Sequence, residues 1–394
     1  MYRPPISTLS DDILYTIFCE NTFTEGDFTD SAIPGLPTVS PLITARYSSQ
    51  VCRQWRNCIL GGTQVWAESL DMEHLPEKRP EWLNEVLSRT FKQGKPTPLS
   101  VKTVLTASSR SSEEFFDFVS NHWGRIRQLK VTVLGGEEEE EDISDVVEDE
   151  RWDILTHPST ILQTLNIDFG SHDICPLYIN NDLPLRNLIA RALPLVLSEV
   201  KFKEMRYLNI ADTVLSFEVV TALGHMPLLE DLRIYSDTDG QDGFDQDCWK
   251  ETQDEVHLPR LRNLSIDCSL ITAIGLLVNI KPTAGCNFFC NVRNEFSSTE
   301  VSSIDLSRFQ NGFKNHFKSY LDHGSNGSLS VVGTQKKFEV KNSNRDSFSF
   351  PSPKFVFRMT RCYEDSVWLQ MRQTIVATFS SMDLSSVRVT TSMN

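Results

Sequence analysis

The feature that most constrains this chain is a triad of apolar residues at positions i, i+3 and i+5. It recurs five times, as Ile126/Leu129/Val131, Leu162/Leu165/Ile167, Met205/Leu208/Ile210, Leu229/Leu232/Ile234 and Leu261/Leu264/Ile266. The last two residues of each triad are two apart, which places them on one face of a β-strand. At least 18 residues separate one triad from the next, enough for a crossover between parallel strands. The sequence therefore predicts an α/β array with a parallel sheet.

The spacing of the triads is irregular. Their central leucines lie 36, 43, 24 and 32 residues apart, whereas regular leucine-rich repeats have a period of roughly 20 to 29 residues and a characteristic Asn that is absent here. This pattern is typical of degenerate repeats that stack into one curved array.

Polar and aromatic residues alternate with the triads and are expected to face outward along the sheet. A mixture of both charges, amides and an aromatic ring suits the recognition of a protein partner, although ordinary solvated strands have the same composition. The candidate substrate-binding residues are Lys130, Asn166, Asp168, Asn209, Arg233, Tyr235 and Asp267, with Thr132 and Ser265 on the same predicted face.

The first 90 residues have the periodicity of helices. Ser10 is a predicted N-cap, followed by apolar residues at 13, 14, 17 and 18. A second helix is predicted from the four-residue spacing between Ile43 and Ile59, and a third over 81–91. Between the first two helices, residues 21–41 are rich in Gly and Pro and indicate a loop insertion.

Charge is concentrated in one segment. The chain has 53 acidic and 38 basic residues, a formal charge of −15. Ten of the acids lie in 137–150, which contains no basic residue, so the remaining 380 residues carry 43 acids and 38 bases. The negative net charge argues against a protein that binds nucleic acid or an anionic membrane surface. We interpret 137–150 as a disordered acidic insertion within the array.

The motifs of common active sites are absent. The sequence has no Walker A, GxGxxG, GxSxG, HExxH or paired CxxC motif, which argues against an enzyme and predicts no metal and no cofactor. Nine scattered cysteines suit reduced thiols. No secretory signal and no apolar stretch of spanning length is present, so we expect a soluble protein of the cytoplasm or nucleus.

The N-terminal segments LSDDILYTIF and VCRQWRNCILGGTQVWAESL resemble the F-box. Further blocks, EWLNEVLSRTF, TPLSVKTVL, HWGRIRQLKV and LPRLRNLSI, are similar to F-box proteins with degenerate leucine-rich repeats, of the type abundant in mushroom-forming fungi. Two departures are Ser10, where the family usually has Pro, and the long segment 21–41. The implied organisation is an F-box-like domain over 1–75 and a leucine-rich-repeat-like domain over 76–394.

The resemblance implies an adaptor that binds the Skp-type subunit of a cullin-RING (SCF-type) ubiquitin ligase and presents a protein substrate on its repeats. The alternative is a repeat scaffold for protein interactions with no ligase connection, in which the N-terminal helices only cap the array. The adaptor-binding positions implied by the family motif are Leu9, Ile13, Leu14, Ile17, Phe18, Val51, Trp55, Ile59 and Trp66.

Overall fold

The fold was analysed in a computed structural model of the chain. The structure describes residues 9–22, 41–72, 80–92, 94–106, 110–134, 150–170, 178–180, 182–192, 202–211, 217–236, 255–281, 283–294, 303–321, 328–333, 337–342, 355–361, 365–380 and 388–393. The chain divides into two compact units, unit 1 (Met1–Ala192) and unit 2 (Leu193–Asn394). This division lies far from the boundary predicted after residue 75, which stays a prediction.

Unit 1 begins with helices and continues into a parallel sheet. The helices are α1 (Asp11–Thr22), α2 (Pro41–Ser48), α3 (Arg53–Gly61), α4 (Thr63–Glu68), α5 (Pro80–Arg89) and α6 (Arg110–His122), with two 3₁₀ turns at Trp123–Arg125 and Glu150–Thr156. The strands of the sheet are β1 (Leu70–Asp71), β4 (Leu99–Thr106), β5 (Ile126–Leu134), β6 (Thr164–Asp168) and β7 (Asn187–Arg191). They pair in that order and all in parallel, while β2 (Phe91–Lys92) and β3 (Lys95–Pro96) form a separate hairpin.

Unit 2 contains a larger mixed sheet. Its strands are β8 (Tyr207–Ala211), β9 (Asp231–Tyr235), β11 (Asn263–Ser269), β13 (Asn287–Asn294), β14 (Ser328–Gly333), β15 (Lys337–Asn342), β16 (Phe355–Arg361) and β17 (Arg388–Met393). The spatial order is β8-β9-β11-β13-β16-β15-β14-β17, and only the two pairs that involve β15 are antiparallel. Its helices are α7 (Phe217–Leu223), α8 (Leu270–Asn279), α9 (Ser303–Leu321) and α10 (Asp365–Ser380), and β10 (Val256–His257) pairs with β12 (Ile280–Lys281).

The last two residues of each predicted triad lie on a strand, as expected, and all three residues of every triad are buried; in four triads the first residue lies just before the strand. The parallel register aligns equivalent positions: Leu129 pairs with Leu165 in unit 1, and Leu208, Leu232 and Leu264 pair in succession in unit 2. Because a strand alternates between two faces, this register collects the apolar residues of each unit on one inward face.

An aromatic cluster extends the core of unit 2 beyond the triads. Phe309, Phe313 and Phe317 recur every four residues along α9 and are fully buried. Their rings pack against Phe355 and Phe357 of β16, with centroid distances of 4.9 Å for Phe313–Phe357 and 5.0 Å for Phe317–Phe355. Rings at these distances prefer edge-to-face or offset geometry, and the two pairs are T-shaped.

Several predicted boundaries are wrong. The single helix expected from Ile43 to Ile59 is two helices, because the Ser49 hydroxyl bonds the Arg46 carbonyl and the backbone then turns before α3. Residues at both ends of the expected loop 21–41 are helical, since α1 runs to Thr22 and Pro41 opens α2, a position at which proline loses no helical hydrogen bond. Residues 23–40 and 137–149 lie outside the described part of the chain.

Beyond the five triads, the sequence predicts further extended segments at FEV (338–340) and FVFRM (355–359), and the pair Ile304/Leu306 suggests another strand. The extended segments FEV and FVFRM lie on β15 and β16, as expected. Ile304 and Leu306, which suggested a further strand, lie in α9 instead. Two apolar residues that are two positions apart are compatible with a strand or with a helix. The phenylalanines that follow are four residues apart, which indicates the helix.

Candidate protein-interaction surfaces

The nine predicted adaptor-binding residues separate into a buried and an exposed group. Leu14, Phe18, Ile59 and Trp66 are buried in the core of unit 1. The Phe18 ring packs on Trp55 at a centroid distance of 5.1 Å, and the Trp66 indole Nε1 donates a 2.8 Å hydrogen bond to the Ile59 carbonyl. These residues hold α1, α3 and α4 together, so they serve packing rather than direct contact with a partner.

The exposed group is apolar in spite of its contact with water. Ile13 is 50% exposed, Ile17 37% and Val51 61%, and Tyr47, which was not among the predicted residues, is 65% exposed. Leu9 and Trp55 are half-buried. Ile13 and Ile17 are four residues apart and therefore share one side of α1. We call Ile13, Ile17, Tyr47 and Val51 the exposed apolar set.

Contacts between the helices fix the side of α1 that meets water. The Gln54 amide Nε2 donates to the Leu9 carbonyl at 3.2 Å and to the Asp11 carboxylate at 2.9 Å, which ties α3 to the start of α1. A Cβ on Gly62 would lie only 2.6 Å from the Tyr15 ring, so the turn between α3 and α4 needs glycine for this close approach rather than for its backbone conformation. Leu14 and Phe18 consequently point into the core while their neighbours Ile13 and Ile17 point out.

An ion pair joins the helices of unit 1 to its sheet. The Arg127 guanidinium on β5 donates to the Glu68 carboxylate at the end of α4 at 2.9 Å, and the Glu68 side chain is only 5% exposed. Gln64 also donates to Glu68. Burial, with smaller effects from Cys19 and Glu68, raises the pKa of the nearby Tyr15 to about 12. The helices and the first strands of unit 1 are thus packed as one body.

The outward face of the unit 1 sheet contains three of the predicted substrate-binding residues. Lys130 and Asp168 are half-buried, but Asn166 is buried, so its expected exposure is wrong. Asn166 lies between Lys130 of β5 and Ile189 of β7, and neighbours on both sides cover a short amide in the middle of a sheet. The Asp168 carboxylate lies 3.9 Å from the Arg191 guanidinium.

The outward face of the unit 2 sheet contains the other four predicted substrate-binding residues. Arg233 and Asp267 are half-buried and each forms an ion pair, Arg233 with Asp231 and Asp267 with Arg293. Asn209 is buried, in register with Arg233 of β9, which corrects its expected exposure. The Arg233 Nε donates to Asp231 at 3.2 Å and the guanidinium lies 5.3 Å from the Tyr207 ring. Tyr235 packs under the Arg293 guanidinium at 4.6 Å.

The structure adds polar residues to this face that the triads did not indicate. Asp267 accepts hydrogen bonds from Arg293 Nε at 2.7 Å and Asn291 Nδ2 at 3.0 Å, and Arg358 donates twice to Glu339. Burial raises the pKa of Asp267, and its hydrogen bond from Asn291 and the charge of Arg358 oppose that rise. The alternation in NFFCNVRN, with Phe288, Cys290 and Val292 buried, is the signal that would have located Asn291 and Arg293.

The buried cysteines of unit 2 are poor nucleophiles. Burial raises the pKa of Cys286 to about 12 and also raises the pKa of Cys268 and Cys290. A thiol held in its protonated form neither attacks a substrate nor ligates a metal readily. Among the described residues, no group of three or more His, Cys, Asp or Glu is arranged to hold a metal ion.

Comparison with known proteins leaves the chain without an assigned relative: no family model, curated protein or solved structure matches it. Within the described part of the chain, no helix combines the length and the apolar character needed to cross a membrane.

Proposed function

We propose that this chain is the substrate-recognition adaptor of an SCF-type cullin-RING ubiquitin ligase. In this proposal the N-terminal helices are an F-box that docks the Skp-type subunit, and the strand repeats are a curved leucine-rich-repeat-like array that binds a protein substrate. The observation that carries the proposal is the exposed apolar set, Ile13, Ile17, Tyr47 and Val51, which lies on α1, on α2 and in the turn after α2, while other residues already fill the core beneath.

The energetic argument concerns the cost of leaving these side chains in water. Burying an aliphatic or aromatic side chain contributes about 1.5 to 3 kcal/mol, so four such residues on a small helical region favour a partner that covers them. A few residues supply most of the binding energy in protein interfaces, and tyrosine, here Tyr47, is among the residue types enriched there. The F-box resemblance of the same segment gives the Skp-type subunit as that partner.

The test is a binding measurement between the purified full chain and a Skp-type subunit. We expect Ile17→Asp to abolish a complex of micromolar or tighter affinity, because an unpaired charge at the contact costs several kcal/mol. The matched control is Thr16→Asp, which adds the same charge to an exposed neighbour on α1. Since Ile17 is partly exposed in the free chain, its variant should keep the far-ultraviolet circular dichroism of the wild type.

Two results would reject the adaptor proposal. One is the absence of any complex between the wild-type chain and Skp-type subunits. The other is undiminished binding by a folded Ile17→Asp variant. Either result would leave the protein-interaction scaffold without a ligase connection as the remaining hypothesis.

A further inference from the structure

One row of residues crosses the outward face of the unit 2 sheet from β9 to β15. The strand register aligns Arg233, Ser265, Phe289, Val356 and Lys341, one from each neighbouring strand. Strands lie about 4.8 Å apart, so the row spans roughly 19 Å. It has a cation at each end and two half-buried apolar side chains, Phe289 and Val356, between them.

At the two ends of the row, the cations reach farther into solvent than the carboxylates with which they pair. The side chains of Asp231 and Glu339 are 17% and 7% exposed, whereas those of Arg233, Arg358 and Lys341 are 31%, 37% and 46% exposed. Each of the two carboxylates accepts a hydrogen bond or ion pair from one of these cations. The ends of the row therefore present positive charge, although the whole chain has a formal charge of −15, whereas Arg293 and Asp267 in the middle of the face are about equally exposed, at 21% and 20%.

We propose that this row binds an extended acidic segment of a partner protein, with an apolar residue between two anionic ones. The inference rests on the proposed function, because such a segment would be the recognition motif of the substrate. Positive charge at the two ends of the row favours the correct encounter with an anionic segment, because complementary charges steer association. Arginine and lysine bind carboxylate and phosphate alike, so Asp, Glu and phosphoserine share the required chemistry.

The spacing of the row sets the spacing of the motif. Phe289 is two strands from Arg233 and two from Lys341, a distance of roughly 10 Å in each direction. In a polyproline II segment, residues three apart lie on the same side and are separated by about 9 Å. The segment should therefore carry its anionic residues three positions before and three positions after the apolar residue.

The test uses the full-length chain and fluorescein-labelled seven-residue peptides in an anisotropy titration. One peptide has Asp at both ends and Leu at the centre, a second replaces both Asp residues with phosphoserine, and a third replaces them with Asn. We expect the Asp or the phosphoserine peptide to bind at least tenfold more tightly than the Asn peptide, with an affinity that falls as salt is added. The ratio between the first two peptides identifies the anion that the face prefers.

The double variant Arg233→Gln/Lys341→Gln should lower the affinity for the anionic peptide at least tenfold. This double variant still leaves a hydrogen-bond donor for each of the two carboxylates. Asn263 still donates to Asp231, and Arg358 still donates to Glu339. The control Arg260→Gln/Lys281→Gln removes the same charge from exposed positions outside this sheet and should bind as the wild type does.

Three results would overturn the inference: equal binding of the Asp, phosphoserine and Asn peptides, equal loss in the two double variants, or tighter binding of single-stranded DNA of the same charge. Failure of the adaptor proposal is recognised separately, because Ile17→Asp lies in the other unit and should leave peptide binding unchanged. A chain that binds the peptide but no Skp-type subunit would contradict the ligase connection alone.

Discussion

Acid should destabilise unit 2 through His316. This residue lies on α9, is buried, and stacks on the Phe288 ring at a centroid distance of 5.1 Å. Burial lowers the pKa of His316 to about 4, although hydrogen bonds to the backbone at Leu277 and Ile280 favour the charged form and oppose that shift. The ordinary histidine pKa is about 6.5, so the folded chain favours the neutral imidazole over its charged form.

The sign of the pH dependence follows from this depressed pKa. Above pH 6.5 the imidazole is neutral in the folded and the unfolded chain, and its protonation makes no difference to stability. Between pH 6.5 and about 4 the unfolded chain binds a proton that the folded chain excludes, so stability falls as the pH falls. One pKa unit corresponds to 1.36 kcal/mol, so the loss reaches about 3 kcal/mol at pH 4 and about 2 kcal/mol at pH 5.

The assay compares urea denaturation, followed by circular dichroism, at pH 7.5 and pH 5.0. His316→Asn places an amide near the position of the imidazole Nδ1, which can still donate to the backbone but does not titrate. The variant loses side-chain volume, but this cost is the same at both pH values and cancels in the comparison. The contributions of the other titrating groups are the same in the variant and the wild type, so they cancel as well. We expect the variant to lose about 2 kcal/mol less than the wild type on acidification.

The matched control is His257→Asn, because His257 is exposed on β10. It should lose as much stability on acidification as the wild type. If His316→Asn also loses as much as the wild type, the buried imidazole does not exclude its proton and the reasoning is refuted.

Three further predictions concern stability in the same denaturation assay. Leu232→Ala should cost about 2 to 5 kcal/mol, because a fully buried leucine leaves a cavity; a loss below 1 kcal/mol would contradict its central place in the core. Gly312→Ala should destabilise the protein although alanine favours helices, since its Cβ would lie 2.9 Å from a backbone oxygen of α8, whereas Gly61→Ala meets no atom within 4 Å and should be neutral or stabilising. Arg127→Ala should cost about 1.5 to 3 kcal/mol because it removes the charged partner of the buried Glu68 carboxylate, which keeps its hydrogen bond from Gln64, and Glu68→Gln should recover part of that loss in the double variant.

The strand predictions at the triads succeeded because the same two-residue alternation recurs in five segments of the chain. In β8, β9 and β11 the alternation assigns one face to the core, and the parallel register then aligns Leu208, Leu232 and Leu264 without further information. The alternation says nothing about how much neighbouring strands cover the other face. Asn209 is buried for that reason, although its position in the alternation is the same as that of Arg233 on the next strand.

The helical predictions were limited by local hydrogen bonds that a four-residue period does not contain. The spacing from Ile43 to Ile59 is continuous in sequence, but the Ser49 hydroxyl bonds a carbonyl of α2 and the Ser49 carbonyl accepts a bond from Arg56. These bonds stabilise a turn between two helices instead of one long helix. The charged residues Arg358 and Glu339 were missed because β15 and β16 carry no triad, and their pairing depends on an antiparallel register that only the tertiary structure determines.

The same physical argument separates packing from recognition at both candidate surfaces. In α1 the adjacent pairs Ile13/Leu14 and Ile17/Phe18 each place one apolar side chain in the core and one in water, because one residue of helix rotates the side chain by about 100°. In a strand the same separation arises from a rotation of about 180° per residue. Apolar residues in water on a helix and charged residues half-buried on a sheet are both costly for an isolated chain. A bound partner would offset either cost, which is why the exposed apolar set and the outward face of unit 2 are the two surfaces to which we assign recognition.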